Sequence, residues 1–163
     1  TVDGVSIDNQ RVSSSAIRKL LSSGDFQTAE KLLGRPFAIS GRVAHGDKQG
    51  RKIGFPTANI SIRRKLSPVL GVFSVLIRIN NITYKGVCNV GKRPTLGGLK
   101  VLLEVFIFDF NQEIYGSRVN VFFKQKCREE IKFNSLEELK NQIKKDVKKS
   151  KQYFKDANVD WSI

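Results

Sequence analysis

With 163 residues, 40% of them hydrophobic, the chain can bury one sizeable core but hardly two, so one compact domain with appendages is expected. Its 29 lysines and arginines against 15 acids give a formal charge of +14, which points to anionic partners, either nucleic acid or phosphorylated small molecules. Two cysteines without a C-x-x-C partner and a single histidine, His45, argue against a cysteine- or histidine-built metal centre; no apolar run approaches the ~20 residues of a membrane helix and no leader is recognisable, so a soluble cytoplasmic protein is expected.

Residues 1–11 are polar and define no clear element. Residues 13–24, SSSAIRKLLSSG, carry a serine N-cap, apolar Ile17, Leu20 and Leu21, and Gly24 as a stop. Residues 25–34, DFQTAEKLLG, repeat the plan with Asp25 as cap, Phe26, Ala29, Leu32 and Leu33 inside, and Gly34 beyond the last turn, so the pair predicts a helical hairpin. From residue 37 the period changes to alternation. Residues 37–43 and the PTANI segment read as strands, and 72–79 place Phe73, Val75, Ile77 and Ile79 on one face. Asn80-Asn81 makes a tight turn, after which Tyr84, Gly86, Cys88 and Val90 return in phase. Residues 101–110, VLLEVFIFDF, are apolar at both parities and predict a central strand; after a turn over 111–116, a further strand carries Val119, Val121 and Phe123 inward. About six closely spaced strands suffice for a small closed antiparallel barrel, a mainly β fold. Ser135 and Glu138 form a capping box ahead of Leu136, Leu139, Ile143 and Val147, a stripe that predicts one long C-terminal helix against the barrel. Lys140, Lys144, Lys145, Lys148, Lys149, Lys151 and Lys155 read as the solvated face of that helix and hold much of the excess charge.

Residues 41–60, GRVAHGDKQGRKIGFPTANI, interleave Gly46, Gly50 and Gly54 with Arg42, Lys48, Arg51 and Lys52. Glycine lets backbone N–H groups approach a ligand and the cations supply charge for phosphate oxygens, so the stretch suggests an anion site; the plainer alternative is a basic surface loop before an edge strand. Nothing fits the G-x-x-x-x-G-K-[ST] pattern. Thr57 and Asn59, two apart in an extended segment, put two neutral oxygens on one face, which suits Mg2+ completing its shell with water and substrate phosphate. Glu104 stands in the most hydrophobic strand beside Leu102 and Phe106; a buried acid is costly unless paired or functional. It is therefore a functional residue, a rim-exposed one, or the partner of a core arginine such as Arg128. For Arg128 the ordinary partners are Glu129, Glu130 or the helix behind them, and Asn89 and Arg93 sit in NVGKRPT, which is first of all turn chemistry.

GFPTAN, preceded by the glycine-rich run and followed in order by GVCNVGKRPT, LEVFIFDF, EIYG and CREEIKFNSLEEL, resembles the riboflavin kinase module of the bifunctional bacterial FAD synthetases, over roughly residues 36–150. The resemblance implies a six-stranded antiparallel β-barrel that phosphorylates the riboflavin 5′-hydroxyl with ATP, giving FMN and ADP. It implies Glu104 as general base, Mg2+ on Thr57 and Asn59, ATP at Gly46, Gly50, Lys52 and Gly54, and flavin contacts at Asn89 and Arg128. One departure is Phe106, two residues after the glutamate, where relatives often have histidine. VSSSAIR also resembles the end of the adenylyltransferase domain of that family. Residues 1–34 are accordingly expected to be a helical remnant of that domain in a fragment of a longer chain, with the kinase barrel and its helix over 35–155 and a tail over 156–163. Ser13, Ser14, Ser15 and Arg18 are assigned no activity, and without an H-x-G-H signature FAD synthesis is not expected. The alternative from another class is a non-enzymatic basic β-barrel that binds nucleic acid.

Overall fold

The computed structural model describes residues 6–7, 10–11, 13–46, 48–62 and 66–158. A two-residue ladder, β1 (Ser6–Ile7) with β2 (Gln10–Arg11), occupies the stretch whose composition defines no element. The helical hairpin follows as α1 (Ser14–Ser23) and α2 (Phe26–Leu33). Its ends are set by side chains: Ser13 Oγ accepts from the Ala16 N–H at 3.1 Å and Asp25 Oδ1 from the Thr28 N–H at 3.1 Å. Each cap satisfies a donor that the first helical turn leaves orphaned. Gly24, at φ 86°, ends α1 in the left-handed conformation that permits so short a link.

Six strands close into an antiparallel barrel: β3 (Ala38–Ala44), β4 (Ala58–Ser61), β5 (Gly71–Ile79), β6 (Ile82–Thr95), β7 (Gly98–Ile107) and β8 (Arg118–Arg128), in the spatial order β3-β4-β7-β6-β5-β8. A four-residue helix, α3 (Gln49–Lys52), interrupts the β3–β4 connection. Asn80 and Asn81 both take positive φ (48° and 66°), the conformation whose twist matches a two-residue hairpin, and so fix the β5–β6 register at Ile79 opposite Ile82. Strand β6 runs on past Val90, the last residue read in phase, and with β7 it forms an exposed ribbon that turns back between Thr95 and Gly98.

The barrel interior is packed with Phe73, Val75, Ile77, Leu103, Val105, Val119 and Val121, all fully buried. One end is filled by the helical hairpin: Leu21, Phe26 and Ala29 belong to the same core, and the Phe26 ring lies 5.8 Å from Phe73 and 5.9 Å from Phe123. Strand β7 departs from its expected character. Val101, Leu103, Val105 and Ile107 point inward, while Leu102, Glu104 and Phe106 sit partly buried on the outer wall, so Glu104 is not a core residue.

A second apolar cluster, Val72, Leu76, Val87, Phe108, Cys127 and Phe154, lies between that outer wall and α4 (Leu136–Asp156). Ser135 Oγ caps α4 by accepting from the Glu138 N–H, and the Glu138 carboxylate accepts from the Asn134 N–H at 3.0 Å, one residue before the Ser135 N–H of a standard capping box. The face of α4 that docks is Asp146, Ser150 and Phe154 with Val147, in its second half. The expected stripe is corrected on this point: Leu136 is 54% exposed, and Leu139 and Ile143 overhang a cleft instead of meeting the barrel.

Candidate active site

Register places five residues in one row across the outer wall: Asn59 opposite Glu104, Glu104 opposite Asn89, Asn89 opposite Val72, and Val72 opposite Arg128. At ~4.8 Å between neighbouring strands, Glu104 and Arg128 lie about 14 Å apart along this row. A cleft of about 770 Å3 opens over four of the five, Glu104, Asn89, Val72 and Arg128, while Asn59, 9% exposed, stands at the end of the row and does not line it. Its walls are Ile53 and Phe55 from the loop after α3, Leu139 and Ile143 from α4, and Phe133 from the β8–α4 loop. A second cleft, of about 560 Å3, lies on the other side of β4 and includes Arg51, Phe110, Asn111 and Tyr115. Thr57 lines both clefts.

The glycine-rich loop holds this junction by close contact. A Cβ on Gly46 would stand 2.1 Å from Asn59 Nδ2, and one on Gly50 would stand 2.2 Å from the Phe55 carbonyl oxygen. The Phe55 N–H donates to the Gly50 carbonyl at 2.7 Å, turning the chain into β4, with Thr57 just before the strand and Asn59 opposite Glu104. Of the other residues expected at a nucleotide, Gly54 adopts φ 86° after α3, Lys52 is exposed, and Gly46, Gly54 and Lys52 line neither cleft. Arg51, which lines the second cleft, and Tyr115, stacked on His45 with ring centroids 4.0 Å apart, were not singled out as site residues. Arg51 is one cation among several in its loop, and Tyr115 lies in a turn, so neither position carries a periodic signal.

Around the larger cleft the polar groups differ in how they are held. Asn89 Oδ1 is buried and has no hydrogen-bond partner among the described residues. An amide oxygen left so is costly unless a ligand donor meets it. Arg128 pairs with the helix behind it: its Nη2 lies 2.7 Å from Asp146 Oδ2. Arg93 pairs with Glu130 at 2.9 Å at the rim. Burial pushes the Cys88 and Cys127 thiols up from their ordinary value, which keeps both protonated and removes them as nucleophiles. Among the described residues no three His, Cys, Asp or Glu side chains gather as a metal cage. The side chains that could hold a cation here are Thr57, at the border of the two clefts, and Asn59, paired in register with Glu104, both of which carry hard neutral oxygens.

The family model for flavokinases, the riboflavin kinases, matches residues 33–154. The chain belongs to the riboflavin kinase family. A bifunctional riboflavin kinase/FMN adenylyltransferase of Haemophilus influenzae is 54% identical over 149 residues, covering 91% of this chain and 48% of the relative. This flavokinase chain thus spans about half the length of the curated relatives it matches. A solved structure described as a macrolide-efflux protein from Streptococcus pneumoniae is 38% identical, with a TM-score of 0.79 over 91% of this chain and 49% of that one. The riboflavin kinase from Trypanosoma brucei superposes with a TM-score of 0.53 at 22% identity, covering 74% and 78% of the two chains, and attests the fold. Among the described residues of the flavokinase chain no helix is long and apolar enough to cross a membrane.

Proposed function

We propose that this chain transfers the γ-phosphoryl group of ATP to the 5′-hydroxyl of riboflavin, releasing FMN and ADP. The observation that carries the reading is the position of Thr57, shared by a large, mostly apolar cleft and a smaller polar one, with the Glu104 wall beside it. The larger cleft, with Phe55, Val72, Val87, Phe106 and Phe133, suits a flat tricyclic ring; the smaller, with Arg51 and Tyr115, suits a nucleotide. The reacting groups would then meet at Thr57.

Phosphoryl transfer asks the protein chiefly to align the partners and neutralise charge. Glu104 accepts the proton of the 5′-hydroxyl as that oxygen forms its bond to the γ-phosphorus, while the bond from that phosphorus to the bridging oxygen breaks and the oxygen departs with the electron pair as part of ADP. Asn89 Oδ1 accepts from a ribityl hydroxyl and orients the chain of the sugar. Gly50 lines the flavin side of the loop, and Gly46, Lys52 and Gly54 shape the glycine-rich turn near the nucleotide. The donor set fits Mg2+, which Thr57 and Asn59 would hold and which, when bound, offsets charge on the phosphate oxygens. The family match gives no support to a non-enzymatic nucleic-acid-binding barrel.

The test is incubation with riboflavin, ATP and Mg2+ followed by chromatography. FMN and ADP should appear in equal amounts, and failure of a folded protein to form FMN refutes the assignment. We propose further that residues 1–34 carry no adenylyltransferase activity and that their helical hairpin serves the barrel as its floor. With FMN and ATP as the only substrates, no FAD should form; accumulation of FAD would overturn the first of these assignments.

A further inference from the structure

The Arg128–Asp146 pair is built more carefully than an ordinary surface ion pair. Asp146 is 5% exposed, in the middle of a lysine-rich helix. Arg128 Nε donates to Asp146 Oδ1 at 3.0 Å and to Oδ2 at 3.2 Å, and Nη2 donates to Oδ2 at 2.7 Å, a two-pronged closure of guanidinium on carboxylate. Gln142 Nε2 donates to Asp146 Oδ1 at 3.0 Å, which fixes the carboxylate from its own helix. On the other side Arg128 Nη1 donates to the Glu129 carbonyl at 2.9 Å, and the Phe133 ring lies 5.9 Å from the guanidinium.

A guanidinium has five N–H donors. Three are used in these bonds, which leaves one N–H on each terminal nitrogen, and both Arg128 and Asp146 line the larger cleft. The pair is not needed merely to dock α4. Ser150 Oγ donates to the Gly86 carbonyl at 3.4 Å, Lys149 Nζ donates to the Cys127 carbonyl at 2.8 Å, and Phe154 is buried against the barrel. The carboxylate also cancels the charge of the guanidinium, so this corner of the cleft keeps directed donors on a pair that carries no net charge. That combination suits an uncharged ligand bearing acceptor atoms.

We propose that Asp146 is a positioning residue for substrate recognition: it holds Arg128 so that the two remaining N–H groups meet hydrogen-bond acceptors of the bound flavin. This rests on the reading of the larger cleft as the riboflavin site. Asp146 acts through Arg128 and touches neither the nucleotide nor the reacting atoms.

The test is a double-mutant cycle read by riboflavin binding and by steady-state kinetics. Asp146→Asn keeps the shape but loses the charge and one acceptor; it should weaken riboflavin binding about tenfold, raise KM for riboflavin in parallel, and change KM for ATP by less than twofold. In an Arg128→Met background the same Asp146→Asn change should alter riboflavin affinity by less than twofold, since the group it positions is gone. Should Arg128→Met fail to fold, Arg128→Lys, which keeps a charge for Asp146 but lacks the planar fork, serves as the background. Ser150→Ala is the structural control, expected to lower Tm and leave KM for riboflavin unaltered. Equal losses from Asp146→Asn in both backgrounds, or no loss in either, would overturn the positioning role while leaving the kinase assignment intact. A parent protein that binds no riboflavin would overturn both.

Discussion

Gly46 offers the sharpest perturbation of the proposed phosphoryl-transfer site, because one methyl group there displaces a proposed metal ligand from the neighbouring strand. In Gly46→Ala the new Cβ would lie 2.1 Å from Asn59 Nδ2, 2.3 Å from its Cγ and 2.5 Å from its Oδ1. A normal carbon contact is ~3.5 Å, so the Asn59 amide must retreat by about 1 Å or more. Asn59 is 9% exposed, which leaves it little room to swing. Overpacking of this kind costs about 1–3 kcal/mol, and with ~2–4 °C of Tm per kcal/mol for a chain of this size the protein stays folded at 25 °C. A 1 Å displacement at a reacting centre costs on the order of 10²-fold, so kcat should fall by about that factor and the Mg2+ concentration needed for half-maximal rate should rise. Gly97→Ala is the matched control, since nothing lies within 4 Å of its added Cβ. Turnover would be followed by FMN formation across a Mg2+ series, with thermal unfolding on the same samples. A folded Gly46→Ala protein with parental kcat and Mg2+ dependence would refute the placement of Asn59 in the chemistry.

Thr57→Ala removes the other proposed ligand at the junction of the clefts, and kcat should fall by at least the ~10-fold typical of weaker, outer-shell metal perturbations, most visibly at limiting Mg2+. Phe26→Ala empties a ring packed against Phe73 and Phe123, and chemical denaturation should show a loss of about 3–5 kcal/mol, against well under 1 kcal/mol if the helical hairpin were only an appendage. The buried thiols should resist a disulfide-exchange reagent in the native protein and both react in denaturant. Their folded values lie above the ordinary 9.0, so stability from this source is complete below pH 9 and falls as pH rises from 9 toward the folded values, where only the unfolded chain ionises. Denaturation midpoints at pH 8 and pH 10 check the sign, and a midpoint that rises with pH would contradict it.

The elements that repeat a local rule were legible from residues alone. Ser13, Asp25 and Ser135 cap their helices as side-chain oxygens before apolar turns must, and Asn80-Asn81 announces the β5–β6 hairpin by tolerating positive φ. Two misreadings share one physical cause. Phe106 made β7 look buried on its outer face, and Leu136, Leu139 and Ile143 looked like a docking stripe, because residues that line an apolar cleft have the composition of a core without being inside one. For Glu104 the residues alone left a functional, a rim-exposed and an arginine-paired reading open, and it stands partly buried on the outer wall, while Asp146, a buried acid, was hidden in a run of lysines. The hairpin of α1 and α2 could be drawn from periodicity, but its service as the floor of the barrel could not, since the contact from Phe26 to Phe123 spans distant parts of the chain. The Thr57–Asn59 spacing suggested a shared face; that Thr57 borders two clefts and Asn59 lines neither required the closed barrel to bring β4 beside β7.

The role of Glu104 at this junction is tested most directly by Glu104→Gln, with kcat, riboflavin affinity and thermal unfolding measured on the same protein. The substitution keeps volume and hydrogen bonding but removes the basic oxygen, and general-base assistance is worth ~10²–10⁴-fold. A loss of kcat within that range, with riboflavin affinity changed by less than about tenfold and the melting temperature retained, is the outcome expected of a general base on the cleft wall. A well-folded Glu104→Gln protein that turns over riboflavin at nearly the parental rate would contradict it and leave the wall between the two clefts without a catalytic role.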